Sequence, residues 1–329
     1  MNALEIKITT FKAVNDLYPH PNFSVMRLLL CIIILFLFAC QPISAQHVDR
    51  KLQREIQSLI TGFHGDIGVY VKDLRRNKVV AINADTLFPT ASIVKIPILI
   101  GLMDKMNRGE LSYQQRLTYN DSLASHVGAD ILESFRSGEK IELGRLIMLM
   151  ISMSDNTASI WLQSLAGGGV RINQIMDSLG FKQTRVNSRT PGREAIRKVY
   201  GWGQTTPREI SSLLEMISKG QVISRGASDK MLRLLNRTFF DVVSLTQIPP
   251  YATIYAKYGA LDENRNELVM VRGRKSNYVF CVMTKNNTDH SWKDNNEAWV
   301  LTRKISTLLW HHYNPKDHWQ PAPDALKFQ

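Results

Sequence analysis

The chain has 329 residues, 44% hydrophobic and 21% charged, with 41 Lys and Arg against 29 Asp and Glu for a formal net charge of +12. This balance excludes a disordered or collagen-like chain and leaves room for one large domain or two intimate ones around a buried core. The basic residues are scattered among acids and form no block with interleaved aromatics, so the surplus reads as a solvated basic surface and not as a nucleic-acid interface.

Met26 and Arg27 precede an apolar run, 28–39, which gives way to Cys40-Gln41-Pro42-Ile43-Ser44-Ala45-Gln46. A positive charge, a short apolar core and small residues make residues 1–45 an expected export signal, with translation starting at Met26. The run is too short to span a bilayer comfortably. Two outcomes stay open: cleavage after Ala45, or lipidation of Cys40, since Leu37-Phe38-Ala39-Cys40 resembles a bacterial lipoprotein processing box. Either predicts a periplasmic or otherwise extracytoplasmic protein, secreted or lipid-anchored to the membrane. Cys31 and Cys40 fall in this segment. Cys281 alone remains for the folded part, so no intramolecular disulfide framework is expected, and it reads as a small buried hydrophobe.

From residue 47 the pattern is helical to 63, strand-like over 65–71 and again over 78–82 after the Arg75-Arg76-Asn77 turn. The apolar spacing of 96–106 predicts a helix with Ser92 at its N-terminus and Lys95 one turn along the same face. Further helices are predicted over 143–153, 157–166, 170–179, 207–218 and 228–235, then strands over 252–259, 267–271 and 278–284, and a closing helix over 296–313. This order predicts an α/β (α+β) domain over 47–313: a five-stranded antiparallel sheet covered by the terminal helices, with a helical lobe over about 90–220 inserted in it. Residues 314–329 are an expected extended tail, and a monomer is expected. Met103, Met106, Met148, Met150 and Met153 read as core, as do Trp292, Trp299 and Trp310 against the closing helix. His290, His311, His312 and His318 lack metal-ligand spacing, so neither a metal nor a cofactor is expected.

Ser92-x-x-Lys95 alone is a weak motif, more simply read as a helix cap followed by a solvated lysine. Two further strings change its weight. Ser154-Asp155-Asn156 lies 62 residues on, between two helical patterns, and Lys257-Tyr258-Gly259 lies 103 residues beyond that on a returning strand. The three in this order resemble the signature of class A β-lactamases and related penicillin-recognising serine enzymes. The surroundings of Ser154 and the string Gly203-Gln204-Thr205-Thr206-Pro207 are similar too.

The resemblance implies Ser92 as nucleophile, Lys95 as its base with a pKa lowered by burial and by Lys257, and Ser154 as proton relay to the departing nitrogen. It implies Asn156 holding a substrate amide together with Lys95, and Lys257 drawing in the substrate carboxylate. Gly259 would let the substrate backbone lie close, and the N–H groups of Ser92 and Ala260 would form an oxyanion hole. Asp155 is expected to fix its turn.

Two departures stand out. Tyr258 occupies a position where the family usually has Thr or Ser; its phenol still offers the substrate a hydroxyl, but on a long rigid stem, so a changed recognition of the carboxylate is expected. Counting back from Thr205-Thr206-Pro207 puts Thr190 where the family has its deacylating glutamate, and Glu194 is the only acid in that loop. Glu194 either activates the deacylating water or pairs with Arg193 or Arg197 at the surface. The expected function is therefore β-lactam hydrolysis through a Ser92 acyl-enzyme. The alternatives are a penicillin-binding D-alanyl-D-alanine peptidase acting on peptidoglycan stem peptides, and a catalytically silent cell-wall-binding homologue.

Overall fold

The computed structural model describes residues 46–127 and 130–325; the expected export segment, with Cys31 and Cys40, lies outside them. The first half of the chain runs β1 (His47–Val48), α1 (Arg50–Ile60), β2 (Asp66–Asp73), β3 (Lys78–Ile82), β4 (Phe88–Pro89), a 3-10 turn over Ala91–Val94, α2 (Lys95–Asn107), β5 (Arg116–Thr118), β6 (Lys140–Glu142) and α3 (Leu143–Ser152). The second half runs α4 (Asn156–Leu165), α5 (Gly168–Ser178), β7 (Arg185–Val186), α6 (Glu194–Tyr200), β8 (Gly203–Thr205), α7 (Pro207–Ser218), α8 (Arg225–Leu235), β9 (Thr253–Leu261), β10 (Asn264–Arg272), β11 (Asn277–Lys285) and α9 (Glu297–Tyr313).

The main sheet has the order β1-β3-β2-β11-β10-β9 and six strands, one more than expected. The extra strand is the His47–Val48 pair, which lies parallel to β3 through His47↔Lys78 and Val48↔Val79. Its origin is local. The Asp49 side chain accepts the Leu52 N–H at 3.1 Å, so α1 starts at Arg50 and the two residues before it are left extended beside an open strand edge. The hairpin between β9 and β10 is also tighter than expected, with Leu261 paired to Asn264 across only Asp262 and Glu263. Asn264, Arg265 and Asn266, which fall between the two predicted strands, therefore enter the ladder.

Strand alternation gives the sheet two apolar faces. Leu268, Met270, Val279, Cys281 and Met283 pack toward α2–α5 and α7. Val269, Val271, Phe280, Val282, Val69 and Val71 pack toward Leu52 and Ile56 of α1 and Leu301, Ile305 and Leu309 of α9. Cys281 is fully buried, and desolvation pushes its thiol well up, so it behaves as a hydrophobe. Trp299 and Trp310 are buried, whereas Trp292 is 57% exposed with its ring edge-on to Trp299 at 6.0 Å. The helical region runs past its expected end through α8. A second small sheet, β4-β8-β7, ties Phe88 to Thr205 and Pro89 to Gln204, which fixes the chain just ahead of Ser92.

Candidate active site

The Ser92 turn is held from both ends. The Thr90 N–H donates to the Gly203 carbonyl at 2.9 Å, and the Ile93 N–H to the Thr90 carbonyl at 3.1 Å. Ala91 between them takes φ +45°, a left-handed conformation that a non-glycine residue adopts only where its surroundings enforce it. α2 then enters the core with residues 95–103 all buried. A helix apolar on every side must carry Lys95 inward with it, and Lys95 is fully buried.

The second element is the bend between α3 and α4. Ser154 has φ +59° there, and Asp155 caps α4 by accepting the Ala158 N–H at 2.7 Å; its other oxygen accepts the Leu132 N–H at 3.0 Å. The third is β9, which carries Lys257 fully buried into the same space.

These elements converge on Lys95. Its Nζ lies 2.9 Å from Ser92 Oγ, 2.6 Å from the Ser154 carbonyl, 3.0 Å from Ser154 Oγ and 2.9 Å from Asn156 Oδ1. Burial lowers the Lys95 pKa to about 7, against the opposing pull of Asp130 and Asp155. A neutral amine has two N–H groups and one lone pair. The Ser154 and Asn156 carbonyl oxygens can only accept, so they take the two N–H groups and leave the lone pair to a hydroxyl proton. Lys257 Nζ meets Ser154 Oγ at 3.1 Å and the Tyr258 carbonyl at 2.9 Å. Its pKa is also held well below the ordinary lysine value, first by burial and then by the charge of Lys95. Burial is the larger cause for both lysines, and the repulsion between their ammonium groups is mutual.

Gly259 also makes room for a neighbouring turn. A Cβ at this position would lie 2.8 Å from the Ser92 nitrogen and 2.9 Å from the Thr90 carbonyl. The missing side chain lets the Ser92 turn press against β9, with Ala260 next along the strand. Tyr258 points to the opposite strand face from Lys257 and Gly259. Its ring stacks on Phe240 at 5.7 Å and tilts against Trp299 at 6.5 Å, and burial pushes its phenol pKa up. Asn156 divides its amide: Oδ1 faces Lys95, and Nδ2 donates to the Val127 carbonyl at 2.7 Å.

Glu194 is not brought to this cluster. It is the first residue of α6, exposed, with Oε1 accepting the Gly192 N–H at 3.1 Å. Neither Arg193 nor Arg197 pairs with it among the described residues; Arg193 bonds Asn187 Oδ1 at 2.6 Å and Gln204 Oε1 at 3.0 Å. Thr190 is buried, its hydroxyl donating to the Ser188 carbonyl at 2.9 Å, and it fills the space over Gly169, where an added Cβ would meet Thr190 Oγ1 at 1.7 Å.

Sequence reasoning missed Asp130. One oxygen of its carboxylate accepts the Asn156 N–H at 2.8 Å; the other accepts the Thr157 N–H at 2.7 Å and the Ser125 and Thr157 hydroxyls at 2.7 and 2.9 Å. A concavity of about 460 Å³ is lined by Asn236, Thr238, Asp241, Trp319 and Pro321 among others, with no nucleophile beside a base.

A half-buried serine bonded to a fully buried lysine, joined to a second serine and a second lysine beside the sheet, fits a serine hydrolase. The chain belongs to the Beta-lactamase enzyme family, whose profile matches residues 51–313. It is 24% identical over 219 residues to β-lactamase VEB-1 of Pseudomonas aeruginosa, covering 65% of this chain and 72% of that one. It is 23% identical over 274 residues to a β-lactamase of Bacteroides uniformis, covering 78% and 92%. The solved structure of PBP-A superposes with a TM-score of 0.72 at 25% identity, covering 82% of this chain and 98% of that one.

Proposed function

We propose that the protein takes an acyl group from β-lactams onto Ser92. What supports this is the 2.9 Å approach of Lys95 Nζ to Ser92 Oγ in a site dry enough to hold the lysine pKa at about 7. In the step derived from this geometry, the Ser92 hydroxyl proton passes to Lys95 as Oγ forms its bond to the lactam carbonyl carbon. The N–H groups of Ser92 and Ala260 take the developing oxyanion. The C–N bond then breaks, and the ring nitrogen receives a proton through Ser154, whose hydroxyl touches both lysines. Lys257 attracts the substrate carboxylate.

The fate of the acyl-enzyme separates two readings. Buried Thr190 and exposed Glu194 leave the loop before β8 without a carboxylate turned inward. That favours slow deacylation of β-lactams, and with it a peptidase-type role on peptidoglycan stem peptides ending in a carboxylate. A variant of PBP-A, whose structure also resembles this one at 25% identity, has been captured as an acyl-enzyme with penicillin G. Export is part of this proposal, with Cys40 as a lipid anchor in the membrane or Ala45 as the cleavage point; an N-terminal mass decides between them.

Intact mass after mixing with penicillin, beside turnover of a chromogenic cephalosporin, tests the reading. A long-lived adduct on Ser92 is expected. Fast turnover with only a transient adduct moves the protein to an efficient β-lactamase, and no adduct at any dose leaves only the silent cell-wall binder.

A further inference from the structure

We propose that Asp130 is a positioning residue for acylation, its carboxylate clamping the Ser154–Thr157 bend and presenting negative charge to Lys95. The inference rests on the acyl-transfer reading of Ser92.

The clamp is built from both sides. The first-turn N–H groups of a helix have no partner within it. In α4, Asp130 takes those of Asn156 and Thr157, and Asp155 takes that of Ala158. Asp155 in turn accepts the Leu132 N–H from the segment that carries Asp130. Two carboxylates thus exchange places, each holding the backbone of the other's segment. The Val127 carbonyl adds a third tie through Asn156 Nδ2. The result fixes the carbonyl of Ser154 and the amide oxygen of Asn156, the two acceptors that orient the Lys95 amine.

The charges facing Lys95 can be named element by element. Lys257 of β9 is the second cation, linked through Ser154 Oγ. Asp155 lies on the α3–α4 bend and Asp130 on the segment after β5; Asp130 exerts the stronger pull on the Lys95 proton. Glu133, next to Asp130, shares the Ser125 and Thr157 hydroxyls with it at 3.4 and 3.3 Å. Without Asp130 the balance around Lys95 tips toward the deprotonated amine, while the bend that aims it loosens.

The test reads Lys95 directly. The protein carrying 13C-labelled lysine is titrated by NMR, with the Lys95 signal assigned by its loss in Lys95→Arg. Penicillin acylation of Ser92 is followed over the same pH range. Asp130→Asn should lower the Lys95 midpoint by roughly one pH unit, with the acidic limb of acylation moving alongside. Thr157→Val, which removes one bond to Asp130 and no charge, should slow acylation and leave the midpoint in place. A midpoint unmoved in Asp130→Asn overturns the proposal. If that variant does not fold, Asp130→Ser carries the same charge change, and failure of both reduces Asp130 to a scaffold and equally overturns it. The titration needs no substrate, so absence of a penicillin adduct would count against the acyl-transfer reading alone.

Discussion

Lys257 Nζ stands 3.1 Å from the hydroxyl of Ser154, the same hydroxyl that Lys95 Nζ meets at 3.0 Å. Ser154 therefore links the two buried lysines through its hydroxyl. Its backbone is held at φ +59° to put it there.

Ser154→Ala should cut the acylation rate of Ser92 by about a hundredfold or more, the usual range for a positioned proton carrier. Adduct formation should persist, because the Lys95–Ser92 pair is untouched. Stopped-flow acylation with a fluorescent penicillin checks it; a rate equal to wild type would remove Ser154 from the proton path.

The packing of Gly259 against the Ser92 turn yields a second expectation. An added Cβ would sit 2.8 Å from Ser92 N, 2.9 Å from the Thr90 carbonyl and 3.1 Å from Ile93 N, all backbone atoms that cannot swing aside. Gly259→Ala must push β9 and the Ser92 turn apart, with a cost of about 1–3 kcal/mol typical of overpacking. Acylation should fall at least tenfold. Denaturant unfolding and the acylation rate together check this, and a variant equal to wild type in both would mean that the two backbones do not press together.

How much of this was legible in the chain depended on locality. Ser92 and Lys95, Ser154 and Asn156, and Lys257 and Gly259 each sit within three residues of one another, so each pair's geometry follows from a single turn or strand. Asp130 left no such trace. It acts across 26 residues on backbone N–H groups, and nothing in an aperiodic polar loop announces that contact. The facing of Tyr258 was hidden for another reason: its position in the motif suggested a hydroxyl for the substrate, while the strand's alternation and the aromatic neighbours Phe240 and Trp299 decide where the ring goes. Glu194 was the only acid in its loop, but α6 starts at that residue and turns it toward Gly192.

Removing the phenol oxygen tests that placement. Tyr258→Phe should leave penicillin acylation unchanged, because the hydroxyl lies on the face of β9 away from Ser92. Tyr258→Thr, which restores the usual family residue, should lower stability by about 2–4 kcal/mol through loss of the buried ring. Thermal unfolding beside the acylation assay separates the two effects. Slower acylation by Tyr258→Phe would return the hydroxyl to the substrate side.

Glu194→Gln should not alter the lifetime of the penicillin adduct. Its carboxylate is exposed and engaged with the Gly192 N–H, with no bond to Ser92, Lys95 or Ser154 among the described residues. Intact mass after dilution of excess penicillin follows the decay. A markedly longer-lived adduct in the variant would show that the loop rearranges to bring Glu194 to the acyl bond.

The pH dependence follows from Lys95. Burial depresses its pKa from 10.5 to about 7, so below about pH 7 the folded protein carries an ammonium with no lone pair to receive the Ser92 proton. Acylation should therefore rise with pH to a plateau above about 7 and fall roughly tenfold per unit below about 6. The same shift acts on stability with a defined sign. Above about pH 7 the unfolded chain keeps a lysine proton that the folded state has lost, so this group makes stability rise with pH there. Lys257, also depressed, acts in the same direction. Between pH 7 and 8 the slope of unfolding free energy should be steeper in wild type than in Lys95→Met, by up to about 1.4 kcal/mol per pH unit. Denaturant unfolding across that interval measures it. Equal slopes would mean that Lys95 is charged in the folded site at pH 8, and would remove it as the base.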